Sequence, residues 1–268
     1  MENNSGVSEF SVRPVVVRGV SIGEGSPKIC VSIVGDTIGA ISSQASKIAA
    51  LLEPEPDSGK PIDLVEWRAD CMPSVADGIG LVAVQSLRNT LPDIPLIFTF
   101  RSQKEGGKQP LSKEDYLSLG KQMIQSGCID MIDLELFTAD KKLHDMIDFA
   151  HQCNVKTIVS NHEFYGTPSV QEIVSRLMRM EAFGADILKI AVMPQEPKDA
   201  LKLLSASAEM FKRTSCPIIA VAMSKMGVIS RVCGGFFGSA VTFGALEQPS
   251  APGQIEVRQL RKILNILQ

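Results

Sequence analysis

The lysine at position 189 lies inside the apolar run ILKIAV, which has the character of a β-strand. A lysine is rarely buried unless its charge is paired, because removing an ammonium group from water is costly. Burial alone can lower a lysine pKa from about 10.4 to about 5–6, which leaves a neutral, nucleophilic amine. Such an amine attacks a ketone or aldehyde to form an iminium ion that acidifies the adjacent carbon. The alternative is a strand-end lysine whose head reaches solvent or pairs with an acidic residue.

A histidine closes the preceding strand-like run, KTIVSNH, at position 162. Consecutive strands of a parallel sheet usually lie side by side, so we expect His162 and Lys189 to share one site. A neutral imidazole is a suitable general base or acid near neutral pH. A single histidine is also common as a structural residue, so the functional interpretation depends on its partnership with the lysine.

Acidic and basic residues also occupy one face of two earlier runs. Period-two alternation puts Glu66 and Arg68 on the same face of DLVEWR, and Asp133 and Glu135 on the same face of DMIDLEL. The first pair fits either a substrate-binding site or a mutual ion pair that seals the interior. The second pair fits a structural role equally well.

Candidate site residues continue into the connecting segments. Arg101 and Glu105 lie at and after the end of PLIFTF, where solvated loop charges are the alternative. Arg231, in GVISR, fits a bidentate clamp for a substrate carboxylate and would help lower the pKa of a nearby lysine, whereas a surface helix charge is the alternative. Ser250 and Gln254 bracket the SAPGQ segment before the last helix, where free N–H groups can hold polar substrate atoms or simply start a helix.

The sequence indicates neither a metal site nor a serine-centred triad. It contains no HExxH motif, and its histidines, cysteines and carboxylates do not show metal-ligand spacing. Its one GxSxG match, GVSIG at 19–23, lies within the predicted hairpin and not at a turn from a strand into a helix. We therefore expect chemistry without a metal.

The elements that must position these residues alternate along the chain. Eight apolar, β-branched runs predict strands: KICVSIV, DLVEWR, PLIFTF, DMIDLEL, KTIVS, DILKIAV, PIIAVAM and GSAVTF. Helical patterns occupy most of the intervals and the end of the chain: 38–52, 76–90, 112–126, 141–153, 169–183, 198–212 and 254–267. Strands that alternate with helices indicate parallel pairing through right-handed crossovers.

Eight such units predict an α/β protein with a (β/α)₈ TIM barrel, and a doubly wound open sheet is the alternative. No GxGxxG follows the first strand, which disfavours a dinucleotide-binding sheet. The segment RPVVVRGVSIG at 13–23 predicts a β-hairpin that covers the closed bottom of the barrel. Without a linker or repeat, we expect residues 1–268 to form a single domain with a flexible N-terminal segment at 1–12.

Composition limits the classes of partner. The 268 residues carry a net charge of −3, and their basic residues are not clustered, so a nucleic-acid partner is disfavoured. The six cysteines form no CxxC pair, which favours reduced thiols in a cytoplasmic protein, and we expect no disulfides. No apolar run approaches the roughly 18 residues of a membrane span, so we expect no membrane partner.

Taken together, these residues resemble the type I 3-dehydroquinate dehydratases, the Schiff-base enzymes of the shikimate pathway and aromatic amino acid biosynthesis. The resemblance covers nearly the whole chain from residue 27 onward, and the order and spacing of its motifs agree with the family. The motifs are VEWRAD, FTFRSQKEGG, MIDLEL, SNHEF, ADILKIAVMP, GVISR, FGSAVTFG and SAPGQI.

The resemblance implies a cofactor-free (β/α)₈ lyase, usually a homodimer, that converts 3-dehydroquinate to 3-dehydroshikimate by syn elimination of water. It implies that Lys189 forms an iminium ion with the C3 ketone, that His162 removes the C2 proton, and that Glu105 orients His162. It also implies a carboxylate clamp at Arg231. Its remaining substrate-binding positions match Ser32, Glu66, Arg68, Arg101, Ser250 and Gln254.

Two other interpretations of the same residues stay open on the sequence alone. An aldolase-like Schiff-base barrel would need a phosphate site, which SAPGQ and Arg231 could supply. The other is a barrel that binds a small acid without converting it. The joint presence of Lys189, His162 and Glu105 argues against it, because binding alone does not require these three residues together.

Overall fold

The computed structural model describes residues 12–56, 58–139, 142–246 and 253–267, and its strands form a hairpin and a parallel barrel. The hairpin strands are β1 (Val15–Val17) and β2 (Val20–Ile22). The barrel strands are β3 (Lys28–Ile33), β4 (Leu64–Arg68), β5 (Leu96–Thr99), β6 (Met131–Glu135), β7 (Lys156–Glu163), β8 (Ile187–Val192), β9 (Ile218–Ala222) and β10 (Val241–Gly244).

The eight barrel strands pair in the order β10-β3-β4-β5-β6-β7-β8-β9, all parallel. The ring closes between β9 and β10, where Ile218 and Ser239 form a parallel bridge and the Ala240 N–H donates to the Ile218 carbonyl at 2.7 Å. The predicted (β/α)₈ barrel is therefore confirmed.

Helices connect the strands: α1 (Ile38–Ala49), α2 (Gly80–Thr90), α3 (Lys113–Gln125), α4 (Leu136–Ala139), α5 (Leu143–Gln152), α6 (Val170–Ala182), α7 (Pro197–Phe211), α8 (Val228–Cys233) and α9 (Val257–Ile266). Several begin where a hydroxyl side chain accepts a hydrogen bond from a first-turn N–H group, as Thr37, Ser112 and Ser169 do. No helix among the residues that the structure describes is both long and apolar enough to cross a membrane.

Two predicted helices begin later than their apolar patterns indicate. The helix predicted from residue 76 starts at Gly80, because the preceding wide turn Val75–Ile79 contains Gly78 with φ +92°. The helix predicted from residue 254 starts after Glu256, whose carboxylate accepts from the Gln259 N–H and caps α9. The short helices α4 and α8 were not predicted, since a single turn is too short to show an amphipathic period.

The predicted N-terminal hairpin is confirmed, and it covers the amino-terminal ends of the strands. Val15, Val17 and Ile22 pack into the same apolar cluster as the first inward side chains of the barrel. Arg18 at the hairpin turn contacts Asp130 at 2.7 Å and the Pro92 carbonyl at 2.6 Å, both in segments that lead into strands. The predicted flexible segment 1–12 lies outside the described residues except for Val12.

The inward face of the barrel changes from apolar to polar along most of its strands. Cys30, Leu64, Ile97, Met131, Ile158 and Ile187 form the apolar layer nearest the hairpin. Two residues further along the same strands lie Ser32, Glu66, Thr99, Asp133, Ser160 and Lys189. Successive inward side chains of a strand are two residues apart, so this second layer points into the carboxyl-terminal mouth of the barrel.

Candidate active site

Lys189 is buried among two carboxylates and an aromatic ring. Its Nζ lies 2.8 Å from Asp133 Oδ2 and 3.3 Å from Glu66 Oε1, and only 4% of the residue is exposed. The ammonium also lies 5.1 Å from the centre of the Phe243 ring, where a cation–π contact is favourable. The alternative of a lysine head that reaches solvent is therefore wrong, and the amine is confined to the barrel interior.

The expected low pKa of Lys189 is wrong for the free protein. Burial favours the neutral amine, but the charges of Asp133 and Glu66 outweigh burial and raise the pKa above its ordinary value. The pKa of Glu66 is correspondingly low, because Lys189 and Arg68 offset the effect of its own burial. The resting lysine is an ammonium ion, so it must lose a proton before it can act as a nucleophile.

His162 forms a dyad with Glu105. The Nδ1 atom of the ring lies 3.0 Å from Glu105 Oε2, and the His162 backbone N–H donates to the same oxygen at 2.9 Å. The other carboxylate oxygen accepts from the Asn161 amide at 3.2 Å. When Glu105 is ionised, both of its oxygens accept, so the ring donates from Nδ1 and leaves Nε2 without a proton. That tautomer is the one a general base requires.

The two members of the dyad have pKa values shifted in opposite directions. Burial and the charges of Arg101 and Lys189 hold the pKa of His162 well below its usual value. Burial and the neighbouring charge of Glu135 raise the pKa of Glu105 to about 8. The imidazole is therefore neutral, and any extra proton of the dyad is held by the carboxyl group. Opposed shifts of this kind are typical of acid–base sites.

Glu105 reaches His162 because two glycines follow it. It ends the short turn Gln103–Glu105, and Gly106 continues in the left-handed region with φ +86°. A Cβ atom on Gly106 would overlap the Phe164 ring, and one on Gly107 would overlap the Arg101 carbonyl. The glycine pair that the sequence identifies only as a loop thus fixes the approach of the carboxylate.

Arg101 links the strands on one side of the mouth. Its guanidinium lies 2.9 Å from Asp133 and 3.1 Å from Glu135, and it donates to the Ser160 hydroxyl at 2.9 Å. These carboxylates raise the pKa of Arg101, while burial alone would lower it. Because Asp133 also contacts Lys189, one carboxylate connects the arginine with the lysine.

The other side of the mouth is organised by Glu66 and Arg68. Ser32 donates to Glu66 at 2.7 Å, and Thr99 donates to the other oxygen at 3.0 Å. Arg68 makes a two-point contact with Asp70, at 2.7 and 2.9 Å, and not the mutual ion pair with Glu66 that was the alternative to a substrate-binding role. Asp70 also accepts from backbone N–H groups of the loop that carries Glu105.

Arg231 differs from the other cations because no carboxylate neutralises it among the residues that the structure describes. It is 4% exposed, its NH1 group donates to the Phe243 carbonyl at 3.3 Å, and its Nε has no hydrogen-bond partner there. Burial lowers its pKa to about 10. A buried guanidinium without a counter-ion is costly, so this position is suited to an incoming anion.

The remaining predicted site residues follow the last barrel strand in the sequence. Ser250 lies outside the described residues. Gln254 is half-buried in the segment between β10 and α9, and Ala245 next to β10 forms a parallel bridge with Glu256. The expectation of a metal-free site stays a prediction, and the described part of the chain contains no group of three or more His, Cys, Asp or Glu residues arranged to hold a metal ion.

Sequence reasoning missed partners that come from other strands. Alternation in the sequence places Asp133 on an inward face but leaves a structural role equally open, and it does not identify Arg101 and Lys189 as its partners. Thr99 and Asn161 gave no comparable signal, because a hydroxyl or amide that contacts a catalytic carboxylate resembles any other polar residue in a motif. Their roles depend on which strands become neighbours, whereas Asp70 contacts Arg68 within a single motif.

The fold and the mouth define a (β/α)₈ barrel enzyme with a lysine and a histidine–glutamate dyad at the carboxyl ends of its strands. A family model described as type I 3-dehydroquinase matches residues 29–268. The curated 3-dehydroquinate dehydratase of Salmonella agona (strain SL483) is 48% identical over 258 residues, which cover 96% of this chain and 99% of that protein. The chain therefore belongs to the type I 3-dehydroquinase family, whose members are hydro-lyases of the shikimate pathway.

Solved structures agree with this assignment. A type I 3-dehydroquinate dehydratase from Clostridium difficile, determined with covalently modified comenic acid, is 46% identical and has a TM-score of 0.88, with 96% of this chain and 98% of that chain covered. The Enterococcus faecalis enzyme is 41% identical with a TM-score of 0.86, and 95% and 100% of the two chains are covered. A 3-keto-L-gulonate-6-phosphate decarboxylase from Vibrio cholerae, at 14% identity and a TM-score of 0.58, shares the fold alone.

Proposed function

We propose that this protein removes water from 3-dehydroquinate to give 3-dehydroshikimate, by way of an iminium ion on Lys189. The observation that carries the proposal is a buried lysine held at the centre of the polar layer, with His162 on the neighbouring strand. Family membership supports the substrate, since the relatives are named for this reaction.

The iminium ion forms when neutral Lys189 attacks the C3 carbonyl and the resulting carbinolamine loses its oxygen as water. The positively charged C=N bond withdraws electrons from C2, so a base of modest strength can remove a C2 proton. The free protein holds Lys189 as an ammonium ion between the ionised Asp133 and Glu66, so that proton must leave before the attack, and His162 would assist this step.

His162 is the base in this proposal. Nε2 takes the C2 proton and leaves an enamine. The electrons of the enamine then expel the C1 hydroxyl, which leaves as water after the imidazolium has donated the proton to it. Water then hydrolyses the iminium ion and releases the product and the free amine. The net change is the loss of one water molecule from the substrate. Glu105 stabilises the imidazolium and fixes the ring through Nδ1.

Substrate binding is assigned to the cations and polar groups around the mouth. Arg231 would receive the carboxylate, because its buried guanidinium lacks a neutralising partner among the described residues. The hydroxyls and carboxylate would be held further by Ser32, Glu66, Arg68, Arg101, Ser250 and Gln254. Val221 and Phe243, the inward residues of β9 and β10, give the site one apolar wall.

Reductive trapping tests the proposal directly. After incubation with 3-dehydroquinate and borohydride, intact-mass spectrometry and peptide mapping should find an adduct on Lys189, because borohydride reduces an imine to a stable amine. Lys189→Met should give no adduct, and Lys202→Ala, which alters a half-buried lysine of α7 that pairs with Asp199, should react like the unaltered protein. A folded protein that turns over substrate without a trappable adduct would overturn the mechanism.

We propose that the protein needs no cofactor, resides in the cytoplasm, works as one domain over residues 1–268 and forms a homodimer. Free thiols at all six cysteines are consistent with a reducing compartment. Light scattering after size-exclusion chromatography should give twice the chain mass of 29.0 kDa.

A further inference from the structure

Asn161 connects the dyad to the outer side of the barrel. It lies on β7 between Ser160 and His162, and its side chain points to the opposite face from theirs. Its amide nitrogen donates to Glu105 Oε1 at 3.2 Å, and its amide oxygen accepts from Arg176 NH1 at 2.7 Å. Asn161 is 4% exposed, so these contacts are made in a nearly dry environment.

Arg176 is itself held in place on α6. Its Nε lies 2.7 Å from Glu172, and its NH1 group lies 3.4 Å from Glu163. The guanidinium also lies 5.6 Å from the centre of the Phe137 ring. A cavity of about 580 Å³ on this side is lined by Glu105, Asn161, His162 and Arg176 but not by Lys189, so Arg176 is separate from the nucleophile.

This arrangement allows the Asn161 amide only one orientation. A guanidinium has donors and no acceptor, so it must face the amide oxygen. The NH₂ group then has to face Glu105 Oε1, which consequently accepts a hydrogen bond. A reversed amide would place two donors against each other at Arg176 and an oxygen against the carboxylate.

We propose that Asn161, oriented by Arg176, is a positioning residue. It keeps Glu105 ionised, the form that accepts a hydrogen bond from the Nδ1–H group of His162. The inference rests on the proposed role of His162 as the base. It concerns what sets the proton occupancy of the dyad, and it assigns no contact between Asn161 and the substrate.

The proton occupancy of the dyad decides whether the base is available. When Glu105 carries a proton, its O–H donates to Nδ1 and the ring proton resides on Nε2, so the ring cannot accept the C2 proton. Burial and Glu135 favour this inactive form, whereas Arg101, the Asn161 amide and the His162 N–H oppose it. Other charged groups near the chain of contacts are Lys104, Lys113, Glu163, Arg176 and Glu172.

The sign of the effect follows from these contacts. Since the pKa of Glu105 is raised to about 8, the active form of the dyad increases as the pH rises through that value. Loss of the Asn161 donor, or a negative charge in its place, raises this pKa further. The acidic limb of the kcat/KM profile should then move to higher pH.

Asn161→Asp is the principal test, because it exchanges the amide donor for a carboxylate of nearly the same shape. We expect the acidic limb to move up by about one pH unit, which lowers kcat/KM at pH 7 about 10-fold, with recovery toward the unaltered rate at high pH. Borohydride trapping on Lys189 should persist.

Arg176→Gln is a second test, and it decides the matter if Asn161→Asp does not fold. It removes the group that orients the amide and should move the limb in the same direction by a smaller amount. Arg213→Gln is the matched control, because it removes another i,i+4 arginine–glutamate contact, to Glu209, on the surface of the protein. That control should leave the profile in place.

An unchanged limb in the folded variants, with kcat lowered equally at all pH values, would overturn the inference and leave Asn161 with a packing role only. Failure of the proposed function is a separate outcome. It would show as no Lys189 adduct in the unaltered protein, whatever the variants do.

Discussion

The two ends of the barrel use the same eight strands for opposite purposes. At the amino-terminal end, the first inward side chains and the hairpin form a closed apolar cluster. Two residues further along six of these strands, the inward side chains become Ser32, Glu66, Thr99, Asp133, Ser160 and Lys189. The hydrophobic end therefore supplies the stability that allows costly buried charges at the other end.

The charges at the mouth are compensated unevenly, and the uncompensated groups are the ones that can take up a ligand or a proton. Asp133 lies within 3 Å of both Arg101 and Lys189, and Arg68 is paired with Asp70. Arg231 is left without a carboxylate among the described residues. In the His162–Glu105 dyad, the pKa of Glu105 is raised to about 8, so both the protonated and the ionised carboxyl group are present near neutral pH. Incomplete pairing therefore marks groups that await a ligand or a proton, whereas the fully paired Lys189 must first give up its proton.

The largest expected effect comes from removing the base at the mouth. His162→Ala should lower kcat by about 10²–10⁴-fold, because general acid–base catalysis contributes on that scale. Steady-state kinetics and the rate of C2-proton exchange in D₂O, followed by NMR, measure the loss. The Lys189 adduct should still form, more slowly than in the unaltered protein.

The melting temperature of the His162→Ala protein provides the control. If the variant lost activity because it unfolded, its melting temperature would fall together with kcat. Normal C2-proton exchange in a folded His162→Ala protein would remove the assignment of His162 as the base.

At the closed end, the same logic predicts a change in stability without a change in rate. Ile22 is fully buried beneath the barrel, so Ile22→Ala should lower the free energy of unfolding by about 2–5 kcal/mol. Urea denaturation measures this loss, and kcat per folded molecule should stay unchanged well below the transition. Val16→Ala on the same hairpin is the control, because Val16 is 61% exposed. A large fall in kcat in the folded Ile22→Ala protein would show that the two ends are coupled.

The same division explains what the sequence could predict. Apolar runs and helix signals identified the eight barrel strands, because each depends on local periodicity. Alternation within a strand also placed Glu66, Asp133 and Lys189 on inward faces, and in the structure Lys189 contacts both carboxylates.

Partnerships between strands were beyond local reasoning. The segment around Lys189 indicates a lowered pKa, yet carboxylates from β4 and β6 raise it. The contact of Arg68 with Asp70, by contrast, is local, because the chain turns back directly after β4 and brings together two residues of one motif. Electrostatic interactions depend on distances across the barrel, and the sequence spacing of about 30 to 120 residues does not reveal them.

The smallest effect in the comparison of the two barrel ends separates binding from stability at one residue of the mouth. Arg231→Gln should raise KM for 3-dehydroquinate by roughly 10- to 100-fold, as expected for the loss of a charged hydrogen-bond partner, with a smaller change in kcat. Stability should not fall with it. Burial depresses the pKa of this arginine, so at neutral pH the folded state carries a guanidinium that is less favourable than in the unfolded chain.

A neutral glutamine should therefore leave the melting temperature of the free protein unchanged or raise it. Arg101→Gln is the contrasting variant, because that guanidinium is paired with Asp133 and Glu135 and its loss leaves both carboxylates uncompensated. We expect a lower melting temperature there. If Arg231→Gln were instead the more destabilising change, Arg231 would be a structural residue of the mouth, and the substrate carboxylate would have to be bound elsewhere.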